Sequence, residues 1–384
     1  MSMHKLTNKA PFTALNTDPA RSFTLPGYLY SDPAILAEEK LKIFFKEWQL
    51  VGHTSQLRNP GDYVTWEIAG QKVFVIKGRD EVNRAFFNVC QHRAHQLLEG
   101  QGNARSAIVC PYHAWTYRVD GSLRTARGTE KLPNFDPSDF GLTPVRLEEA
   151  LGFLFVNLDD QATSLQETYA GLFEDMSKAM PWVEDAAVIP HAKQGELDET
   201  VMSANWKVMA ENCLECYHCT PAHPAFVDLI SVNSYSCTSH GRWQKSHGEI
   251  KRHDNKAYPV AKDAPIQESN FWHLYPNTQF GCLPGDNVMT AFTFMPREAE
   301  QTFLKMHMLA APGDLPSEER CNYVGDVLWP EDESLCTSVH QGLQSLGYRQ
   351  GRFVIDPDRP GISENGVHHF QKTYAKEMAL DLAP

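Results

Sequence analysis

The stretch NWKVMAENCLECYHCTPAH, residues 205–223, decides what the rest of the chain has to support. Residues 206–218 contain neither Gly nor Pro, and Asn205 is suited to cap the start of a helix. On a helix with 3.6 residues per turn, Glu211, Glu215 and His218 fall on one stripe. The stripe is either a solvated polar face or a buried cluster that needs a cation. The surrounding cysteine and aromatic residues favour the cation.

A second element follows the first without a long connection. Pro221 cannot continue a helix but suits the first position of a new one, with Thr220 as its cap. His223 would then come from this second element and fold back toward His218. We therefore expect both imidazoles to take part in the same site.

Composition limits the class of protein. The 384 residues, 42% of them apolar, suit one large domain or two ordinary ones. A net charge of −13 gives no support to binding of nucleic acid or an anionic membrane, and suits a small cationic substrate. No apolar run is long enough for a transmembrane helix, and the first twenty residues show no signal-peptide core. Nine cysteines do not suggest a secreted disulfide framework, so we expect a cytoplasmic protein.

A small all-β module is predicted to end near residue 155. Its apolar pattern has a period of two, and Asp120-Gly121 is a strong hairpin turn. The predicted strands cover residues 63–68, 73–76, 85–89, 107–110 and 115–119.

Two cysteine–histidine pairs end β runs in this module. Cys90 and His92 have the spacing C-x-H, and Cys110 and His113 have the spacing C-x-x-H. Each pair should lie on a loop tip, and two tips can converge on one centre. Coincidence, a structural zinc site and a two-iron, two-sulfur cluster with mixed ligands are the three alternatives. Zinc is less favoured, because the module already has a core to stabilise it.

The run CPYHAW, residues 110–115, decides among these alternatives by resemblance. With its C-x-H and C-x-x-H loops and an aromatic residue after the second His, the module resembles a Rieske [2Fe-2S] domain. The resemblance implies that Cys90, His92, Cys110 and His113 hold the cluster, whose potential neutral His ligands raise. His95 lies off this motif and is predicted to be a surface or neighbouring residue.

Outside the module the pattern is mixed α and β. Residues 1–27 are predicted to be an irregular arm, and the pattern gives no assignment for residues 228–269. We expect the following elements: helices at residues 32–48 and 165–180, and strands at residues 153–157, 288–295 and 303–309, the last two in an antiparallel sheet behind the metal helix.

A helix is also predicted at residues 331–346. Its apolar stripe consists of Leu335, Val339, Leu343 and Leu346. Asp332 lies on that stripe, whereas Glu331 and Glu333 point about 100° to either side. A buried carboxylate needs a partner, although Asp332 could instead only favour the helix N-terminus. We expect Glu331 and Glu333 to matter little.

Together, His218, His223 and Asp332 make the two-histidine, one-carboxylate set typical of non-haem iron oxygenases. Nearly the whole chain resembles the Rieske non-haem iron oxygenase α subunits, through the four cluster residues, the NWK…ENxxExYHxxxxH stretch and the ED…GL helix. The resemblance implies an α+β fold, with an all-β Rieske domain inserted near the N-terminus of a helix-grip catalytic domain that has an antiparallel sheet. The expected limits are residues 1–44 for an arm and helix of the catalytic domain, 45–155 for the Rieske domain and 156–384 for the mononuclear iron domain. It further implies Fe(II), O2, a homotrimer, and NAD(P)H electrons from a separate flavin and iron–sulfur reductase.

Glu215 occupies a position where this family usually has Asp. With ENCLECYHC, GLQSLGYRQGRF and GVHHF, it makes the chain similar to the branch acting on quaternary ammonium and N-methyl compounds. The resemblance implies a monooxygenase that hydroxylates a C–H bond next to nitrogen, with Glu215 bridging the two centres and Glu211 and Asn212 beside the iron. An aromatic-ring dioxygenase and a non-enzymatic Rieske electron carrier are the alternatives, and a zinc-binding scaffold is a third.

A quaternary ammonium cannot donate a hydrogen bond, so aromatic faces should bind it. The runs FWHLYPN and AFTFM supply the candidates Phe271, Trp272, Tyr275, Phe292 and Phe294. Phe292 and Phe294 share a strand face, so either both qualify or neither does.

Overall fold

The computed structural model describes residues 14–189 and 199–383. The chain divides into two compact units, one of which comprises Phe44–Thr168 and Glu184–Val188. The other contains the remaining described residues. Of the predicted N-terminal arm, residues 1–13 lie outside the described part.

Strands are numbered in chain order. They are β1 (Leu15–Asn16), β2 (Gln49–His53), β3 (Asp62–Ile68), β4 (Gln71–Lys77), β5 (Asn83–Phe87), β6 (Gln101–Asn103), β7 (Ile108–Val109), β8 (Thr116–Tyr117), β9 (Leu123–Thr125), β10 (Pro144–Ala150), β11 (Phe153–Asn157), β12 (Ala187–Val188), β13 (Glu199–Met202), β14 (Ser236–His240), β15 (Trp243–Glu249), β16 (Glu268–Leu274), β17 (Thr278–Cys282), β18 (Val288–Glu298), β19 (Gln301–Ala310) and β20 (Leu382–Ala383).

The α-helices are α1 (Pro33–Glu39), α2 (Leu165–Thr168), α3 (Leu172–Ala179), α4 (Trp206–Asn212), α5 (Cys219–Ala222), α6 (Phe226–Leu229), α7 (Glu318–Tyr323), α8 (Trp329–Leu343) and α9 (Asn365–Glu377). Two π-helical segments, Lys40–Phe44 and Val324–Leu328, continue α1 and join α7 to α8. Short 3-10 turns are Pro19–Arg21, Gly27–Tyr30, Thr54–Gln56, Pro137–Phe140, Val183–Asp185 and Pro360–Ile362.

The unit Phe44–Thr168 is built on antiparallel strands, as the period of two predicted. A seven-stranded sheet has the order β2-β11-β10-β5-β4-β3-β6, and β7, β8 and β9 form a second sheet. Ala69 and Gly70 have φ values of +47° and +97° in the β3–β4 turn, which suits a tight hairpin. Gly121 has φ +89° in the predicted Asp120-Gly121 hairpin. A Cβ there would lie 2.4 Å from the ring of Phe86.

The other unit contains an antiparallel sheet in the order β13-β19-β18-β17-β16-β15-β14. The long β18–β19 pair confirms the two strands predicted at residues 288–295 and 303–309. Helix α4 contacts β18, α8 and α9. The predicted stretch therefore lies between the sheet and two helices from later in the chain, which gives an α+β fold.

Three predictions about helices and loops need correction. The helix predicted at residues 165–180 is two helices, because Gly171 adopts φ +82° between them. The helix predicted at residues 32–48 begins as expected, with the Asp32 side chain accepting the Ala34 N–H, but it is a π-helix by Lys40–Phe44. The unassigned residues 228–269 include the hairpin β14–β15. Both strands are strongly polar, so the sequence shows no clear alternation of apolar and polar residues there.

Helix α8 covers most of the helix predicted at residues 331–346, but its apolar stripe is not buried. Val339 is 51% exposed and Leu346, beyond the end of the helix, is 74% exposed. Cys336 and His340 are the buried positions instead. Within the described residues, no helix is long and apolar enough to cross a membrane.

Candidate metal centres

Two loops of the all-β unit repeat one backbone pattern. After β5, the Cys90 N–H donates to the His95 carbonyl at 2.8 Å, and the Ala94 N–H donates to the Cys90 carbonyl at 2.9 Å. Ala94 has φ +56°, which lets the chain reverse within the loop. The loop after β7 repeats both bonds and the left-handed alanine, with Cys110, Ala114 and Trp115 in the equivalent positions.

The two loops bring the four predicted cluster residues together. Cys90 and Cys110 are 3% and 2% exposed and belong to the core of the unit. The Tyr117 hydroxyl lies 3.3 Å from the Cys90 sulfur. The rings of His92 and His113 are 4.7 Å apart at their centroids, and His92 is exposed. Two buried sulfur and two outer nitrogen donors suit a mixed-ligand [2Fe-2S] cluster.

The aromatic residue after the second loop supports the histidine side of this group. Trp115 stacks on His92 with ring centroids 4.8 Å apart and an interplanar angle of 10°. His95 is exposed, in line with the surface position predicted for it.

The predicted metal helix is shorter than expected. The Asn205 side chain accepts the Lys207 N–H at 3.0 Å, which confirms the cap. Helix α4 ends at Asn212, however, so the prediction of a helix through His218 and a single Glu–Glu–His stripe is wrong. The Glu215 carboxylate accepts the backbone N–H groups of the next turn, including that of His218 at 3.1 Å. Such side-chain bonds offer the backbone an alternative to the helix.

The turn after α4 also carries a disulfide that the sequence analysis missed. Cys216 and Cys219 are bonded on either side of His218, and the other cysteines are free. Helix α5 begins at Cys219, so the start predicted at Pro221 is two residues late. A single short bridge within one turn does not make a disulfide framework.

His218, His223 and Asp332 come together as predicted. One ligand atom from each lies within 4.8 Å of the others. The two Nε2 atoms are 3.6 Å and 3.1 Å from the same oxygen, Asp332 Oδ1. Two imidazole nitrogens and a carboxylate on one side of a shared space are the donors that non-haem Fe(II) sites use.

A second carboxylate orients each histidine. His218 Nδ1 lies 2.5 Å from Glu215 Oε1, and His223 Nδ1 lies 2.8 Å from Glu331 Oε2. Both rings are thereby held with Nε2 toward the triad, as metal-binding histidines usually are. The expectation that Glu331 points away from the site is wrong, because α8 places it against the buried side of His223, which is 2% exposed.

Glu211 and Asn212 diverge. Asn212 lines the cavity beside the triad, as predicted, whereas Glu211 turns away from it. Glu211 Oε1 accepts from the Tyr30 hydroxyl at 2.7 Å and from Gln371 Nε2 at 3.0 Å. Burial raises the pKa of Glu211 to about 7, although these hydrogen bonds and the charge of Lys207 act in the opposite direction.

The cavity beside the triad has a volume of about 150 Å³ and a mainly aromatic and aliphatic wall. Phe292 and Phe294 both line it, as the shared strand face required, and so does Phe271. Trp272 and Tyr275 do not, so these two predictions are wrong. Trp272 lies on the opposite face of β16 and donates to Asp175 at 2.7 Å. Three aromatic residues that the sequence analysis missed complete the wall: Phe226, Tyr235 and Trp329.

Another cavity also reaches Glu215 and His218, and exposed apolar side chains surround it. Val339 and Tyr348 line this cavity and are 51% and 38% exposed. Tyr217, beside the Glu215 carboxylate, is 47% exposed. Glu215 is therefore accessible from a partly apolar face of this unit.

Comparisons with known proteins agree with both centres. The model of the Rieske [2Fe-2S] domain matches residues 47–136, and that of the ring hydroxylating alpha subunit (catalytic domain) matches residues 182–380. The chain therefore belongs to the Rieske non-haem iron oxygenases, as an α subunit. It is an oxidoreductase with a [2Fe-2S] domain and a catalytic domain of the kind that binds mononuclear iron. As an oxygenase subunit, it requires a separate reductase.

The names of its relatives also specify a substrate. The chain is 40% identical to the carnitine monooxygenase oxygenase subunit of Escherichia coli K12, covering 94% of this chain and 95% of that protein. It is 30% identical to the chloroplastic choline monooxygenase of Beta vulgaris, covering 92% and 76%. A solved structure of a quaternary ammonium Rieske monooxygenase, which was studied for carnitine oxidation by gut microbiota, has a similar fold, with a TM-score of 0.87. It is 35% identical in sequence and covers 94% of this chain and 97% of that one.

Proposed function

We propose that this chain is the oxygenase component of a monooxygenase that hydroxylates a C–H bond next to nitrogen in a small quaternary ammonium or N-methyl compound. The reaction uses O2, two electrons and two protons. One oxygen atom enters the C–H bond and the other leaves as water. When the hydroxylated carbon is on an N-methyl or N-alkyl group, the product can lose an aldehyde, which gives dealkylation.

The observation that carries this proposal is the composition of the cavity wall. Phe271, Phe292 and Phe294 face it, and none of the described residues that line it is Lys or Arg. The charged side chains at the cavity are the carboxylates Glu215 and Asp332. A cation without N–H groups is attracted by aromatic faces at about 0.5–2 kcal/mol each and meets no like charge here.

His218, His223 and Asp332 would hold the iron, which when bound supplies the site where O2 is activated. Glu215 and Glu331 would keep the two imidazoles oriented through Nδ1, and Asn212 would offer an amide at the edge of the cavity. Cys90, His92, Cys110 and His113 would hold the cluster, which stores one electron.

We further propose a homotrimer in which the cluster of one chain serves the iron of its neighbour. Glu215 would form the bridge, because one oxygen lies against His218 while the residue also reaches a second cavity. The exposed apolar residues around that cavity support a docking face for another chain. The electron donor would be a flavin and iron–sulfur reductase using NAD(P)H, and the seven free cysteines suit a cytoplasmic location. We keep the predicted limits 1–44, 45–155 and 156–384 as the proposed domains.

The decisive assay measures products over a panel of carnitine, γ-butyrobetaine, glycine betaine, stachydrine, choline and naphthalene, with a compatible reductase. We expect oxidation of at least one quaternary ammonium compound with matching consumption of O2. Turnover of naphthalene far above that of every quaternary compound would instead support an aromatic-ring dioxygenase. No turnover, with both metal centres filled, would support an electron carrier.

The bridge is tested by Glu215→Gln, with the exposed Glu298→Gln as control. We expect both metals to remain bound while cluster-to-iron electron transfer slows by about a hundredfold, the upper end of the range for loss of a group that orients a metal ligand. Co-expression of Cys110→Ser and His218→Ala chains should restore activity in mixed trimers. Inactive trimers shown by mass to be mixed would exclude transfer between chains.

A further inference from the structure

The residues that line the cavity beside the triad continue along the strands of the sheet. Gln279, Phe292 and Met306 pair across β17, β18 and β19, and all three line the cavity beside the triad. The next inward row along the same strands consists of Gly281, Thr290 and Met308, which line a smaller cavity. Phe292 and Met306 line both cavities. Because rows on one face are about 7 Å apart, the smaller cavity continues the first along the strands.

One side of the opposing helical segment follows the same path. Arg320, Val324, Leu328 and Asp332 are four residues apart and run from α7 through the π-helical segment into α8. Asp332 lines the cavity at the triad, Arg320 lines the smaller cavity, and Val324 and Leu328 line both. At 1.5 Å per residue, the two ends are about 18 Å apart along the helix. The two cavities together thus have Asp332 at one end and Arg320 at the other.

Arg320 is a buried cation without a carboxylate partner. The side chain belongs to a residue that is 5% exposed. Its Nη1 donates to the Asp286 carbonyl at 3.2 Å and its Nη2 to the Val288 carbonyl at 2.9 Å. The Asp286 carboxylate instead accepts the Ser317 N–H at 3.0 Å. Among residues 14–189 and 199–383, none forms an ion pair with Arg320, and the carbonyl groups of Asp286 and Val288 are its hydrogen-bond acceptors.

That arrangement leaves the charge of Arg320 available to an anionic ligand. A guanidinium has five N–H donors, and a buried charge is ordinarily paired. Apolar side chains form most of the smaller cavity. A carboxylate of the substrate would supply both the missing charge and paired acceptors, because guanidinium and carboxylate match in shape.

We propose that Arg320 binds the carboxylate of a zwitterionic substrate whose quaternary ammonium lies against the aromatic wall beside the triad. This inference rests on the proposed function and narrows its substrate class to betaines that keep a carboxylate. The separation of about 18 Å along the helix leaves room for more than the single carbon that separates the two charges of glycine betaine. A spacer of several carbon atoms between the two charges fits better.

The alternative role is purely structural. In that role, Arg320 only joins α7 to the start of β18, through the carbonyl groups of Asp286 and Val288. Two substitutions separate the roles. Arg320→Lys keeps the positive charge, whereas Arg320→Gln keeps amide donors for the carbonyls but removes the charge. Arg297→Gln, on the exposed end of β18, is the control for a lost positive charge elsewhere.

The experiment compares kcat/KM for γ-butyrobetaine and for its carboxamide, which has the same ammonium group and no negative charge. The wild-type protein and Arg297→Gln should prefer the carboxylate about ten- to hundredfold, the range for one buried charge-assisted contact. Arg320→Lys should keep most of this preference. Arg320→Gln should lose it through a raised KM for the carboxylate, with the carboxamide changed less than about twofold.

Each other result counts against a defined statement. Equal loss for both compounds in Arg320→Gln would make the residue structural and overturn the inference, as would a wild-type preference near one. If Arg320→Gln does not fold, Arg320→Lys decides the question. A ratio of kcat/KM for the carboxylate to kcat/KM for the carboxamide near one in Arg320→Lys overturns the inference. If the wild-type protein oxidises choline but neither test compound, the proposed function survives and the inference fails. If it oxidises no quaternary ammonium at all, both fail.

Discussion

The four candidate cluster ligands come from residues 90–113, whereas the iron triad joins residues 218 and 223 to residue 332. At the cluster, two loops with the same backbone bonds each present one cysteine and one histidine. At the triad, a turn after α4 meets the start of α8, and no local repeat fixes their distance. When all ligands lie in one short segment, the local backbone structure also determines their relative positions. One assembled across the chain depends on packing and on the residues that orient each ligand.

The largest effect separates the two centres. Asp332→Ala should remove the mononuclear iron and lower turnover below detection, while the visible spectrum of the [2Fe-2S] cluster stays unchanged. Cys110→Ser should do the reverse and abolish that spectrum while iron remains at the triad. Metal analysis and visible absorption of both purified variants provide the measurement. Loss of both centres in either variant would show that the two sites do not fold independently.

The sequence predicted the cluster loops almost completely, because Cys and His spacing on two β-turn loops is local information. It predicted the triad from residue types and helical phase, and Asp332 does face His223. The contact between Glu215 and His218 was predicted for the wrong reason. A helical stripe was expected, but a capped turn brings the two side chains together.

What the sequence could not supply was the surroundings of each residue. Helical phase gives the direction in which Glu331 leaves α8, but not that His223 lies across from it. Alternation along β16 separates Phe271 from Trp272, but not which of them faces the cavity. The exposed stripe of α8 looked like core, because an exposed apolar stripe and a buried one have the same pattern in the sequence.

Glu211 belongs to the catalytic unit but to neither metal site, and its burial makes stability depend on pH. With a folded pKa of about 7, the carboxyl keeps its proton while the unfolded chain, with a pKa near 4.5, loses it. The free energy of unfolding should therefore fall between about pH 4.5 and 7, by about 3 kcal/mol. Glu211→Gln keeps the acceptor for Tyr30 and Gln371 and removes this loss.

Urea unfolding of Glu211→Gln should thus match the wild-type protein near pH 4.5 and exceed it in stability at pH 8. Glu298→Gln, on the exposed end of β18, should show no such divergence. A constant difference at all pH values would mean that the substitution changes packing and not ionisation.

The orientation of His223 by Glu331 should be worth less than a ligand. Glu331→Ala should lower iron affinity or turnover about tenfold to hundredfold, the usual range for a group that orients a metal-bound histidine. Glu333→Ala, two residues along the same helix, should remain within about twofold. Iron titration of the apo protein measures both. Equal effects of the two substitutions would mean that loss of either carboxylate from helix α8 has this effect, and that the contact with His223 is not its cause.

The smallest effects should appear in the cluster loops and should be the same in both. Ala94 and Ala114 have φ values of +56° and +58°, where a Cβ is unfavourable and glycine is not. Ala94→Gly and Ala114→Gly should each raise the free energy of unfolding by up to about 1 kcal/mol. Ala85→Gly, within strand β5, should lower it by about 0.5–1 kcal/mol, because glycine there gains no strain relief and loses more chain entropy. Denaturation followed by the visible absorption of the cluster measures all three. Unequal gains in the two loops would show that their shared backbone pattern hides different strain, and would end the description of the cluster site as one motif used twice.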